Sequence, residues 1–341
     1  MNILITGGAG FLGARLAREL LALGSLALGG AAPRAITRLT LADQFAPPAD
    51  LAADPRVNTV VGDLNALLQA GASDLVAPDT DLVYHLAAAV SGKCEADFDL
   101  GLRSNFQATQ ALLEACRRAS HRPVLVFASS LAVFGLRPGE PASKLIEDDT
   151  LPTPQTSYGI QKFIGEQMLA DYTRKGFLRG RSARLMTVAV RPGRPNGAAS
   201  GFFSGMIREP LSGVAARVPV SADTAVALSS PANTVRGLLR AAEVSDEAWG
   251  SRTGMNMPAL HTTVGAMAQA LRKIGGDAAH DLLQWEIDPV IAAIVATWPA
   301  NVISPRANAL GLQADADFES IVQAYCADHP QASRKSAKAA A

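Results

Sequence analysis

A doubly wound α/β fold of the Rossmann type, with a parallel sheet and a smaller C-terminal substrate lobe, is predicted by three features. Through about residue 193, short apolar runs alternate with longer runs of helical periodicity. The short runs are apolar throughout, as strands covered on both faces require. A glycine-rich turn separates the first short run from the first helical one, at the place where such folds bind phosphate.

Taken in order, "NILIT" is the first strand and "FLGARLARELLAL" a helix with apolar residues at helical spacing. "AITRLTLAD" and "VNTVVGDL" are the second and third strands, and "TDLVYHLAAAV" the fourth. A long helix, "DFDLGLRSNFQATQALLEACRRA", leads to a fifth strand, "PVLVFASSLAV". The helix "SYGIQKFIGEQMLADYTRKG" and a sixth strand, "ARLMTVAVRPG", complete the pattern. Residues 1–193 are therefore expected to form the dinucleotide-binding domain. After them the rhythm breaks into a Gly-rich segment, a short "ARVPV" strand and two helices, "SPANTVRGLLRAAEV" and "TVGAMAQALRKIGG". Residues 194–330 read as a mostly helical lobe that shapes the substrate pocket and can return a strand or helix to the first domain. The small, polar residues 331–341 read as a flexible tail.

Composition narrows the function. The 341 residues are 48% apolar and 18% charged, suited to a compact core, and Lys plus Arg balances Asp plus Glu at 31 each. No overall field favours nucleic acid or a membrane surface as a partner. The three cysteines, Cys94, Cys116 and Cys326, lack metal-ligand spacing and read as reduced thiols, with no metal expected. The N-terminus lacks a signal-peptide pattern, and no apolar stretch of about 18 residues predicts a membrane helix. Cytoplasm is the expected compartment.

"ITGGAGFLG" places Gly7, Gly10 and Gly13 between the first strand and first helix, in a GxxGxxG spacing. Gly7 permits the tight turn, Gly10 lets the backbone approach a pyrophosphate, and Gly13 lets the helix pack closely. The helix start, at Phe11 and Leu12, offers free N–H groups and a positive dipole end. Asp43 ends the second strand, where a carboxylate can bind both ribose hydroxyls and repel a 2′-phosphate, pointing to NAD over NADP. It follows Gly13 by about 30 residues, the excess over the usual ~20 lying in "GSLALGGAAPRA". Arg38, on the same strand, reads as solvated. Asp63 and Leu64, after the third strand, are placed to meet the adenine, although Asp63 is equally suited to cap the following helix.

Tyr158 and Lys162 in "YGIQK" stand four apart, on one side of a helix. A tyrosine near neutrality needs its pKa lowered by roughly 3 units, about 4 kcal/mol of phenolate stabilisation. A neighbouring ammonium and a positive nicotinamide ring can supply that. Ser129 and Ser130 close the fifth strand, at the sheet edge where ligands sit. His85, on an apolar strand, reads as a hydrogen-bonded core residue.

"TGGAGFLG", "HLAA", "SSLAVFG", "YGIQK" and "VRPG" in this order resemble the extended short-chain dehydrogenase/reductase family, of the NAD-dependent epimerase/dehydratase type, over roughly residues 1 to 240. The resemblance implies Tyr158 as catalytic acid/base, Lys162 as its modulator and Ser130, rather than Ser129, as the third member. It implies that Ala87, Ala88, Asn105, Pro192 and Gly193 lie along the cofactor, and that Ser91 touches substrate. It implies a homodimer paired through the helices after the fourth and fifth strands. "HLAAAVSG", "YGIQKFIGE" and "VRPGRPNGAASGFFSGMIREPL" are most similar to the branch that oxidises a short sugar acid, which implies D-erythronate going to 2-oxo-tetronate with NAD. A carboxylate substrate calls for an arginine; Arg194, Arg208 and Arg217 are candidates, Arg194 being closest to the motif. Phe202 and Phe203 could instead stack a base, which leaves a nucleoside-diphosphate-sugar epimerase or dehydratase open. A noncatalytic NAD-binding sensor is the remaining alternative.

Overall fold

A computed structural model of the chain describes residues 1–69, 73–119, 121–137, 139–141, 144–193 and 199–330. Arg194 and residues 331–341 lie outside the described residues. The centre is a seven-stranded sheet. Its strands are β1 (Asn2–Thr6), β2 (Arg38–Asp43), β3 (Val57–Val61), β4 (Leu82–His85), β5 (Val124–Ser130), β6 (Arg179–Leu185) and β7 (Met255–Asn256). They lie in the order β7-β6-β5-β4-β1-β2-β3, every pairing parallel. Successive strands run outward from β1 in one direction, then restart at β4 in the other. The reversal opens a crevice at the strand carboxyl ends between β1 and β4.

Its main helices are α1 (Phe11–Leu23), α2 (Ser91–Ala96), α3 (Ala108–Arg118), α4 (Ser157–Arg174), α5 (Gly201–Leu211), α6 (Pro231–Glu243), α7 (Val264–His280), α8 (Pro289–Ala296) and α9 (Phe318–Asp328), with shorter ones between them. Alternation along β5 assigns its two faces. Val124, Val126 and Ala128 join a core with Leu16 and Leu20 of α1 and with Val235 and Leu238 of α6. Leu125 and Phe127 join Leu112 and Leu113 of α3 and Leu169 of α4 on the other side. A further core lies in the lobe, where Phe203, Met206 and Ile207 meet Met267, Leu271, Ile321 and Val322.

Residues beyond 194 thus serve two structures. β7 completes the sheet and α6 covers one face of it, while α5, α7 and α9 form the lobe. Sequence expectations differ from the structure in three places. The sixth strand starts earlier and stops at Leu185, because Thr187–Val188 turns away to pair with Ala225–Ser229 in a separate three-stranded sheet. The expected long helix before β5 is interrupted by a π-helical stretch, Leu102–Gln107. The excess after Gly13 is not loop alone, since Ser25–Leu26 and Arg34–Ala35 pair as a small antiparallel ribbon.

Candidate active site

The turn after β1 is built from backbone. Gly7 has φ +74° and donates its N–H to the Ala42 carbonyl at 2.8 Å. A side chain on Gly7 would also strike the Ala87 backbone, and one on Gly13 would run into the Gly7 carbonyl. Both positions need glycine because strand, helix and the neighbouring loop meet without side chains between them. Gly10 caps α1 with no side-chain partner, so the first helical N–H groups face the crevice. The Asp43 carboxylate lies beside this turn, accepting from Ala9 N at 3.1 Å and Phe45 N at 3.2 Å. Arg38 is at the opposite end of β2 in an exposed pair with Asp79.

A cleft of about 330 Å³ joins the turn to the catalytic candidates. Gly7, Gly10, Phe11, Leu12 and Gly13 line one part, Ala88 and Ser91 the middle, and Ser130, Tyr158 and Lys162 the far part. Thr156 starts α4 by accepting from Gly159 N at 3.1 Å, which sets Tyr158 and Lys162 at the cleft end of the helix. Ser129 and Ser130 point in different directions, as strand alternation demands. Ser129 donates to Glu166 Oε1 at 2.5 Å, whereas the Ser130 hydroxyl accepts from Ala132 N at 3.1 Å and lines the cleft near enough to Tyr158 to oppose the rise of its phenol.

Lys162 Nζ donates to the Ala128 carbonyl at 2.7 Å and sits over the Phe127 ring at 4.8 Å. It lies 5.7 Å from the Tyr158 ring centre. Burial pushes its ammonium down to about 8, with the Glu166 charge among the groups opposing that fall. The expectation that the lysine lowers the tyrosine is not met by the chain alone. Burial pushes the Tyr158 phenol up to about 12, and the opposing effects come from the Ser130 hydrogen bond and the Arg191 charge. Desolvation of the phenolate wins because the ammonium is directed at a backbone carbonyl.

Other expected residues fall elsewhere. Asp63 caps the helix Leu64–Gln69 by accepting from Ala66 N at 3.1 Å, and Leu64 packs into the apolar core. Asn105, expected along the cofactor, lies behind the Leu86–Val90 loop instead. Its side chain exchanges hydrogen bonds with Ala89 and donates to Gln161 Oε1 at 2.9 Å, which commits the amide to the protein. Ala87 and Pro192 are half-buried and do not line the cleft. His85 is buried between Thr6 (2.7 Å) and Thr109 (2.9 Å) and is pushed down to about 3 by burial, so it is neutral core.

Of the candidate arginines, Arg208 holds the Arg191 carbonyl at 2.8 Å and pairs with Glu209, and Arg217 pairs with Glu286 in solvent. The arginine that does line the cleft is Arg191, which sequence reading passed over although it stands in "VRPG". Its guanidinium donates to Ser200 Oγ at 3.2 Å, and burial lowers its pKa. Ile294 of α8 and Trp298 just beyond it also face the cleft. They lie about a hundred residues beyond "VRPG", and nothing in their local sequence marks them.

The model of the "NAD dependent epimerase/dehydratase family" matches residues 3–245. The chain belongs to that family. Its uncapped helix start and side-chain-free turn fit the pyrophosphate of NAD, and the Asp43 carboxylate fits a ribose. The chain is 50% identical over 330 residues to the D-erythronate dehydrogenase of Cupriavidus necator, covering 96% of this chain and 98% of that one. It is 39% identical to the D-erythronate dehydrogenase of Haemophilus influenzae, covering 95% and 98%. The crystal structure of a nucleoside-diphosphate-sugar epimerase from Agrobacterium tumefaciens superposes with TM-score 0.87 at 40% identity, over 97% and 94% of the two chains. An L-threonine 3-dehydrogenase from Trypanosoma brucei shares the fold, with TM-score 0.81 at 21% identity over 97% of each chain.

Proposed function

We propose that this protein is an NAD-dependent dehydrogenase that oxidises D-erythronate, at the hydroxyl next to the carboxylate, to 2-oxo-tetronate. What carries this reading is the near full-length 50% identity to a D-erythronate dehydrogenase, together with one cleft that joins the glycine turn, Ser130, Tyr158 and Arg191. In a 2-hydroxy acid the reacting carbon is bonded directly to the carboxylate carbon. The anchoring cation must therefore lie close to the base, and Arg191 is near enough for its charge to act on Tyr158. Arg191 replaces Arg194 as the proposed anchor on this ground.

Tyr158, as phenolate, takes the proton of the substrate hydroxyl. Ser130 donates a hydrogen bond to the oxygen as negative charge grows on it. NAD held along Gly7, Gly10 and Gly13 would supply the hydride acceptor and a positive charge in the cleft. Lys162 contributes positive charge at the inner wall, and Ser91, which lines the same cleft, is assigned to contact substrate. Asp43 is assigned to the ribose at the adenosine end.

The test is NADH formation with D-erythronate, L-threonine and UDP-sugars. Stoichiometric NADH from D-erythronate is expected. Conversion of a UDP-sugar without net NADH, and none from the acid, would sink the reading in favour of an epimerase. We further propose a cytoplasmic homodimer paired through α4 and its neighbour. Ile160 and Ile164 of α4 and Phe98 beside it are exposed, an apolar group that a partner copy would cover. A monomeric mass by light scattering would remove that part. No helix among the described residues is long and apolar enough to cross a membrane.

A further inference from the structure

Behind the catalytic candidates lies a buried charge cluster that the reaction above does not use. On α4, Tyr158, Lys162 and Glu166 follow one another at four-residue spacing, which stacks them along one helix face. Glu166 and Arg184 are 1% and 3% exposed. Arg184 grips the carboxylate with two nitrogens, Nε at 2.9 Å and Nη2 at 2.8 Å, and lies over the Phe134 ring at 4.6 Å. The same carboxylate accepts the Ser129 hydroxyl, one residue before Ser130. Glu166 therefore connects three elements that carry the chemistry: the end of β5, the helix α4 and the strand β6.

A buried ion pair is a poor device for stability alone, because apolar side chains of similar volume are often as stable. Glu166 also stands one helical turn from the buried Lys162, near enough for its charge to act on that ammonium. We propose that Glu166 is a positioning residue for the oxidation, pinning the serine end of β5 to α4 and holding Lys162 in its charged form, with Arg184 competing for the same carboxylate. The proposal rests on the assignment of Ser130, Tyr158 and Lys162 made above. The groups that face Lys162 are Tyr158 and Glu166 from its own helix, Cys94 from α2 and the neutral His85 from β4. Arg184 reaches it only through Glu166, and Asp148, whose backbone carbonyl accepts from Arg184, lies beyond. Ser129 also gains a reason: with its hydroxyl turned to Glu166, alternation leaves Ser130 to the cleft.

The titration of the Lys162 amino group in cofactor-free protein tests this. It would be followed by NMR with ¹⁵N-labelled lysine and assigned with a Lys162→Met variant. In the unaltered protein the midpoint is expected near 8. Glu166→Gln keeps the shape and removes the charge, and the midpoint should fall by about 1 unit. Arg184→Met frees the carboxylate for Lys162, and the midpoint should rise. Each single variant leaves one charge of the pair unpartnered, so the double variant Glu166→Gln/Arg184→Met decides: its midpoint should still lie below that of the unaltered protein, and an unmoved midpoint would mark a merely structural ion pair. An unmoved midpoint in Glu166→Gln, or shifts of the same sign in both, overturns the proposal. Should Glu166→Gln fail to fold, a rise in Arg184→Met supports the proposal and its absence overturns it. The titration needs no turnover, so failure of the D-erythronate assay and failure of this inference are separate results.

Discussion

Two helices pack on β5 and β6 from opposite sides, and they do it with different chemistry. α6 buries Val235, Leu238, Leu239, Ala241 and Ala242, an apolar stripe that needs only to exclude water. Its start has the expected signals, with the Ser230 hydroxyl accepting from Asn233 N at 3.0 Å and Pro231 in the first turn. α4 instead buries Gln161, Lys162 and Glu166 among small residues. Each of those polar groups has a specific partner: Asn105, the Ala128 carbonyl and Arg184. One side of the sheet is held by area. The other adds matched hydrogen bonds and charges to an apolar core of its own, and there the chemistry is placed.

Substitutions on the two sides should separate accordingly. The largest effect is expected from Tyr158→Phe, which removes the proton acceptor. NADH formation should fall by about 10²- to 10⁴-fold, with thermal stability and NAD binding little changed; retained turnover would mean another base. On the opposite side, Leu238→Ala should cost about 2–5 kcal/mol of stability by chemical denaturation. Its kcat per folded molecule should stay the same. A matching loss of kcat would show that the two sides are coupled. Next in size is Arg191→Met, which removes a charged hydrogen-bond donor worth about 1.5–3 kcal/mol. That is roughly a 10- to 150-fold loss of kcat/KM for D-erythronate, with the KM for NAD unaffected.

The smallest effect concerns pH. His85 sits on the polar side, and its folded pKa of about 3 lies below the ordinary value near 6.5. Between those values the unfolded chain binds a proton that the folded chain refuses. The stabilisation is therefore complete above about pH 6.5 and is lost as pH falls, at no more than about 1.4 kcal/mol per unit. Denaturation at pH 5 and pH 7 should show a shallower pH slope for His85→Gln than for the unaltered protein. Equal slopes would mean that this histidine is not held neutral.

Legibility followed the same division. The apolar strands and the glycine turn could be read directly, because a two-sided strand and a side-chain-free turn restrict local composition. Tyr158 and Lys162 could be paired because helical spacing alone puts them on one side. Ser129 and Ser130 could not be told apart by local physics, since the choice depends on where Glu166 and Tyr158 come to lie. Asp63 left two roles open, and the structure shows its carboxylate on a helix N-terminus. The partners of Asn105, Ala89 and Gln161, could not be read locally because they are 16 and 56 residues away. Arg191 was passed over because the strand containing it was expected to be continuous. The switch of sheets after Leu185 is what brings that guanidinium to the cleft.

By itself the sequence determined which segments are strands and helices, where a dinucleotide phosphate is received, and which tyrosine and lysine share a helical face. These follow from periodicities and steric limits that act over a few residues. Only the tertiary structure decided that Ser129 turns to Glu166, which arginine meets the cleft, and that Glu166 pairs with Arg184 one helical turn from Lys162. Those outcomes depend on strands distant in sequence being brought into register by burial of a shared core. Whether a buried charge is raised, lowered or shared is then set by groups that sequence neighbours do not reveal.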